Sequence, residues 1–142
     1  MSQVRADAKG ADSGGGRPRP TSPHLQVWRW HVTMAASIAT RVSGVALYVG
    51  LLIIAGLALS LALGPDQYAT YTALLGSPLG MLVMFGITVS IFYHLAAGLR
   101  HLAWDAGKGF LPKTANFTSW FAFGFGLVAS LVLWAAILFA GL

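Results

Sequence analysis

The sequence predicts an all-α integral membrane protein with three transmembrane helices, and three observations carry that expectation. Of its 142 residues, 56% are hydrophobic and only 9% are charged, whereas a soluble domain normally carries about a quarter charged residues to keep its surface wetted. The apolar residues gather into three long stretches (42–63, 79–98 and 117–142) that contain no Asp, Glu, Lys or Arg. Every Lys and Arg falls outside those stretches.

The elements follow in order. Residues 1–22 are rich in Gly, Ser, Pro and Arg and bury too little apolar surface to order themselves, so they are expected to be a disordered tail. The remainder, 23–142, is expected to be one membrane-anchor domain. It opens with a short interfacial segment, Pro23 to Ala36, where Trp28, Trp30 and His31 flank Arg29 and suit the headgroup level. The three spans are expected at about 42–63, 79–103 and 117–141. Each apolar stretch has about the 20 residues that a helix needs to cross the hydrocarbon core, and only a helix satisfies its own backbone there. No secretory signal is visible before the first span, because the first thirty residues lack a continuous apolar core.

Charge fixes the expected orientation. Arg5, Lys9, Arg17, Arg19, Arg29 and Arg41 precede the first span, and Arg100, Lys108 and Lys113 lie between the second and third. The loop from Gly64 to Pro78 and the C-terminus have none. The positive-inside rule therefore puts the N-terminus and second loop inside and the C-terminus outside. A bacterial inner (cytoplasmic) membrane is favoured over a mitochondrial inner membrane, since Asp7 and Asp12 make a poor transit signal.

Several functions are disfavoured at once. The net charge of +5 comes from sparse residues outside the spans, which argues against nucleic acid as a partner. With no cysteine, the chain by itself offers no disulfide, iron–sulfur ligand or covalent haem attachment. Gly124-Phe-Gly126-Leu-Val-Ala129 matches a dinucleotide pattern on paper, but it lies inside an apolar span with no preceding strand.

Chemistry-bearing residues concentrate at the end of the second span. On a helix at about 100° per residue, His94, Gly98, His101 and Asp105 fall within about 60° of one another. An imidazole about 9 Å inside the apolar zone from Arg100 is costly without a partner or ligand. It is a suitable axial ligand for haem iron, with Gly98 one turn away leaving room for a porphyrin and Arg41, Arg100 and His101 at the level of its propionates. Hydrogen bonding to a neighbouring helix, or a proton path, explains His94 equally well on spacing alone. A second cluster enters the first span: Ser37 and Arg41, four residues apart, share a helix face. They could bind a quinone carbonyl, although an Arg at this boundary ordinarily snorkels to lipid phosphates.

Together these motifs resemble the cytochrome b membrane-anchor subunit of succinate dehydrogenase, respiratory complex II. The resemblance runs through Arg19-Pro20-Thr21-Ser22-Pro23-His24-Leu25, then Ser37 to Gly44, then His94 to Asp105. It implies that His94 is an axial ligand of haem b, with the second axial histidine coming from a partner anchor subunit. It further implies that Ser37 and Arg41, with Asp105 nearby, contribute to a ubiquinone site beside the iron–sulfur subunit, which receives electrons from a flavoprotein subunit. Thr40 departs from the family's histidine near a haem propionate; a threonine can donate a hydrogen bond but cannot carry a positive charge. Alternatives from the same residues are a fumarate reductase anchor, a homodimeric cytochrome b, or a cofactor-free assembly or transport subunit.

Overall fold

A computed structural model describes residues 28–141; the expected tail over 1–22 lies outside the described residues. Four helices follow one another: α1 (Val32–Leu63), α2 (Pro65–Leu75), α3 (Pro78–Asp105) and α4 (Pro112–Ala140). Of these, α1, α3 and α4 are long and apolar enough to cross a membrane. The all-α, three-span class is as the sequence predicts. Trp28 to Trp30 belong to a separate N-terminal unit, have no regular structure, and bring the indoles of Trp28 and Trp30 edge to face at 6.1 Å.

The helix boundaries differ from the apolar stretches for local reasons. Part of the expected interfacial segment, 32–36, is already the first turn of α1, while 23–27 lie outside the described residues. Neither Gly nor Pro interrupts Val32 to Val42, so nothing stops the helix where lipid ends. Its 32 residues extend about 48 Å, against a hydrocarbon core of about 30 Å. The surplus first turns carry Thr33, Ser37 and Arg41. The loop expected between the first two spans holds α2, which starts where Gly64 takes φ 124°, Pro65 occupies the first turn and Asp66 faces the helix N-terminus. The Tyr71 hydroxyl donates to the Ile53 carbonyl at 3.0 Å and ties α2 back to α1. Ser77 caps α3, its Oγ accepting from Gly80 N at 3.1 Å.

The packing is that of a protein whose solvent is oil. Among the described residues the buried hydrophobic ones are Ala36, Tyr93, Ala96, Ala97 and Ala122, and the buried polar ones are Ser43, Ser60, Ser119 and Ser130. Large side chains such as Leu51, Ile54, Leu82, Val128 and Leu138 point outward. Lipid offers no hydrophobic drive between helices, so small residues that allow close backbone approach occupy the interface. Gly126 shows how close: a Cβ there would stand 2.9 Å from Tyr93 Cβ and 3.2 Å from its Cα and N. Further along the same pair of helices, Trp134 donates to Thr88 Oγ1 at 3.3 Å and meets Phe85 edge-on at 5.7 Å.

Candidate functional site at the basic end of the bundle

The extended start of α1 and the end of α3 enclose a cleft of about 370 Å³ lined by Thr33, Ala36, Ser37, Thr40, Arg41, Arg100, His101 and Trp104. Four predicted site residues meet in it: Ser37, Arg41, Arg100 and His101. Among the described residues no carboxylate lines it, so its character is cationic and hydrogen-bond donating. Such a cleft suits carbonyl oxygens or anionic groups at the membrane boundary.

The α3 wall is fixed by interactions with α4 and the following turn. Arg100 Nη2 donates to the Ala115 carbonyl at 3.3 Å, and its guanidinium lies 4.1 Å over the Trp104 ring. Its Nε is buried without a hydrogen-bond partner among the described residues. Trp104 is held in turn, donating from Nε1 to the Gly109 carbonyl at 3.3 Å and stacking on Phe110 at 6.2 Å. His101 Nδ1 lies 2.7 Å from the Ala97 carbonyl. A carbonyl only accepts, so Nδ1 carries the hydrogen and Nε2 of the neutral ring is an acceptor. On the α1 side, Ser37 and Arg41 are both exposed.

Thr40 has a different place from that of a free donor. Its hydroxyl donates to the Ala36 carbonyl at 2.8 Å, as does the Tyr93 hydroxyl, also at 2.8 Å. Thr40 therefore packs against the buried Tyr93, with its proton committed within α1.

His94 lies deeper, outside the cleft lining, on the seam between α1 and α3. Its Nδ1 is 2.9 Å from Ser43 Oγ, and a Cβ on Gly44 would stand 3.6 Å from its Cε1. Gly98, one turn along, has no atom outside its own stretch of helix backbone within 4 Å of where a Cβ would be, among the described residues, so that surface beside His94 is open. Asp105 is exposed at the end of α3 and does not line the cleft. Among the described residues no three His, Asp or Glu side chains converge to hold a metal ion.

Sequence reasoning missed three contributors. Thr33 and Trp104 line the cleft, and Ser43 meets His94. Trp104 was within reach, since it follows Arg100 by four residues and so shares its helix face. Ser43 stands 51 residues from His94, and no local pattern joins them.

Residues 16–133 match the family described as succinate dehydrogenase/fumarate reductase transmembrane subunit. The chain is 39% identical over 101 residues to the succinate dehydrogenase cytochrome b556 subunit of Paracoccus denitrificans, covering 71% of this chain and 78% of that one. It is 33% identical over 116 residues to the subunit of the same name from Rickettsia felis, covering 82% of this chain and 90% of the relative. Against the mitochondrial cytochrome b560 subunit of Sus scrofa the identity is 39% over 99 residues, 66% of this chain and 57% of the other. A match that spans most of three apolar helices and both polar clusters makes the chain a member of the succinate dehydrogenase/fumarate reductase transmembrane subunit family.

Proposed function

We propose that this chain is the cytochrome b anchor subunit of a succinate dehydrogenase, supplying one axial ligand to a haem b and one wall of a ubiquinone-reduction site. The observation that carries the quinone reading is the convergence of Ser37, Arg41, Arg100 and His101 on one cleft that no carboxylate lines among the described residues. His94 carries the haem reading. It is a single imidazole on an apolar span with the space beside Gly98 open. One imidazole cannot hold a metal ion alone, but it suits a macrocycle that brings four nitrogens of its own.

The residues fit the group. His94 would provide the axial nitrogen, and Arg41, Arg100 and His101 lie toward the polar end where propionates seek cations. The second axial ligand would come from a partner anchor subunit. When bound, the haem supplies one-electron redox capacity beside the cleft. The chain's own part is binding and electrostatics: the Ser37 hydroxyl and Arg41 guanidinium donate to a quinone oxygen and favour the charge that gathers there on reduction. His101 Nε2, with Nδ1–H turned to the Ala97 carbonyl, can accept a hydrogen bond from a hydroxyl of the quinol product. Asp105 does not line the cleft, and its place near the quinone rests on the family resemblance alone.

Electrons would arrive from an iron–sulfur subunit fed by a flavoprotein subunit, since this chain offers no cysteine for a cluster. The excess of Lys and Arg at the α1 start and the α3–α4 turn supports a cytoplasmic placement of the cleft in a bacterial inner membrane, with the C-terminus outside. The test is a dithionite-reduced minus oxidised visible spectrum of the assembled complex, wild type and His94→Leu. A b-type band lost from the variant supports the assignment. An unchanged band removes His94 from the haem.

A further inference from the structure

We infer that Ser43 is a positioning residue for His94, holding the imidazole through Nδ1–H and leaving Nε2 as the ligating atom. The inference rests on the reading of His94 as a haem ligand and adds which nitrogen binds and what fixes it.

The argument is a count of protons. Ser43 Oγ stands 2.9 Å from the Thr40 carbonyl oxygen and 2.9 Å from His94 Nδ1. The hydroxyl has one hydrogen, and the carbonyl can only accept. Turning that hydrogen to the imidazole would leave two oxygens facing each other at 2.9 Å with nothing between them. Donated to Thr40, it leaves the lone pairs of Oγ directed at Nδ1, which must then be the N–H. A neutral imidazole has one N–H, so Nε2 keeps the free lone pair.

The arrangement is stiff. Ser43 is 4% exposed, so water does not compete for its hydroxyl. Its back-bond to a carbonyl three residues earlier on α1 fixes the side-chain rotamer before His94 is considered. Gly44 is the adjacent residue, and even a Cβ added there would reach His94 Cε1 only at 3.6 Å.

The other buried serines show what an ordinary serine does in this protein. Ser60 donates to Leu57, Ser119 to Ala115 and Ser130 to Gly126, each within its own helix. Of the four buried serines, only Ser43 adds a partner on another helix among the described residues. An acceptor on the remote nitrogen raises the basicity of a ligating imidazole and fixes its orientation. A more basic ligand favours ferric over ferrous iron, so this hydrogen bond should lower the haem potential.

The experiment is an anaerobic redox titration of the b-type band, with an electron paramagnetic resonance spectrum of the oxidised haem, on the assembled complex carrying wild type, Ser43→Ala or Ser43→Thr. Ser43→Ala is expected to raise the midpoint potential and shift the low-field resonance, and Ser43→Thr to return both toward wild type. Loss of haem from Ser43→Ala alone, with retention in Ser43→Thr, supports the same conclusion. Unchanged potential and resonance in Ser43→Ala overturn it. So does equal haem loss in both variants, which would mean that the site needs serine's size rather than its hydroxyl. A wild-type complex without any b-type band would instead strike the haem reading beneath it.

Discussion

Two seams of the bundle follow different plans. Between α3 and α4 the middle of the contact is close and made of small residues: Gly126 lies against the Tyr93 backbone, Ser119 and Ser130 turn their hydroxyls into their own helix, and the polar links, Trp134 to Thr88 and Arg100 to Ala115, lie to either side of it. Between α1 and α3 polar groups reach across. Tyr93 donates to Ala36, Ser43 meets His94, and the seam opens into the cleft at its basic end. Hydrogen bonds between membrane helices contribute only about 0.6 kcal/mol on average. Polar groups across the α1–α3 seam therefore add modestly to association and mainly aim side chains. The α3–α4 seam holds the bundle, and the α1–α3 seam presents the chemistry.

If that division is right, changes in the cleft should alter activity without loosening the protein. Arg41→Ala, at an exposed position, is expected to lower ubiquinone reduction by about 100-fold, the scale for losing one fixed donor at a developing charge. Ser37→Ala should act in the same direction. Succinate oxidation by a dye that accepts electrons upstream should stay at wild-type level in both, as should the melting temperature. A parallel loss of dye and quinone activity would show that the cleft is structural.

The α3–α4 seam should answer in the reverse sense. A methyl group at Gly126 would press on Tyr93 Cβ at 2.9 Å and on its backbone at 3.2 Å, and backbone cannot yield as a flexible side chain does. Gly126→Ala is expected to cost about 1–3 kcal/mol, read as a lower thermal midpoint of the purified complex with its turnover at low temperature intact. Gly124, which has nothing within 4 Å of a Cβ position, is the control, and Gly124→Ala should leave the midpoint in place.

Tyr93 belongs to both seams and should give an intermediate result. Its ring tilts against Phe123 of α4 at 5.0 Å, while its hydroxyl reaches Ala36 on α1. Tyr93→Phe keeps the packing and removes one hydrogen bond. The Ala36 carbonyl keeps its bond from Thr40, so no acceptor is stranded and the expected loss is about 1 kcal/mol. A double variant with Thr40→Val is expected to lose about the sum of the two single changes, because the Ala36 carbonyl, inside α1, keeps its place in the backbone ladder.

The three spans were legible because a lipid environment writes itself into composition: charge is absent over 42–63 and 117–142. Helix α2 was equally marked, by Gly64, Pro65 and Asp66, but eleven residues of mixed polarity carry no strong period. Ser37 and Arg41 were found as a pair on one helix face, and His101 and Arg100 from the stripe and level at the end of the second span. Their meeting in one cleft depends on how far α1 extends below the apolar stretch. The anchoring of Arg100 was not legible either, since Ala115 and Trp104 hold it across the turn into α4. Contacts between helices obey side-chain size and proton count, and neither leaves a periodic trace.

The smallest effect is expected from Ser130, and it sharpens the comparison most cleanly. Ser130 is as buried as any of the described residues, at 0% exposure, and by burial alone it looks costlier to change than Ser43. Its hydroxyl donates to the Gly126 carbonyl at 2.7 Å, one turn back on the same helix. That carbonyl also serves the backbone ladder, so removing the hydroxyl strands nothing. Alanine is the better helix former by a few tenths of a kcal/mol, and the back-bond it removes slightly opposes a regular helix. Ser130→Ala is therefore expected to move stability by no more than about 0.5 kcal/mol, and to leave the haem potential where it was. A shift in potential from Ser130→Ala comparable to that from Ser43→Ala would mean that any serine in the bundle tunes the haem through general polarity. The distinction between a hydroxyl turned inward and one reaching across would then fail.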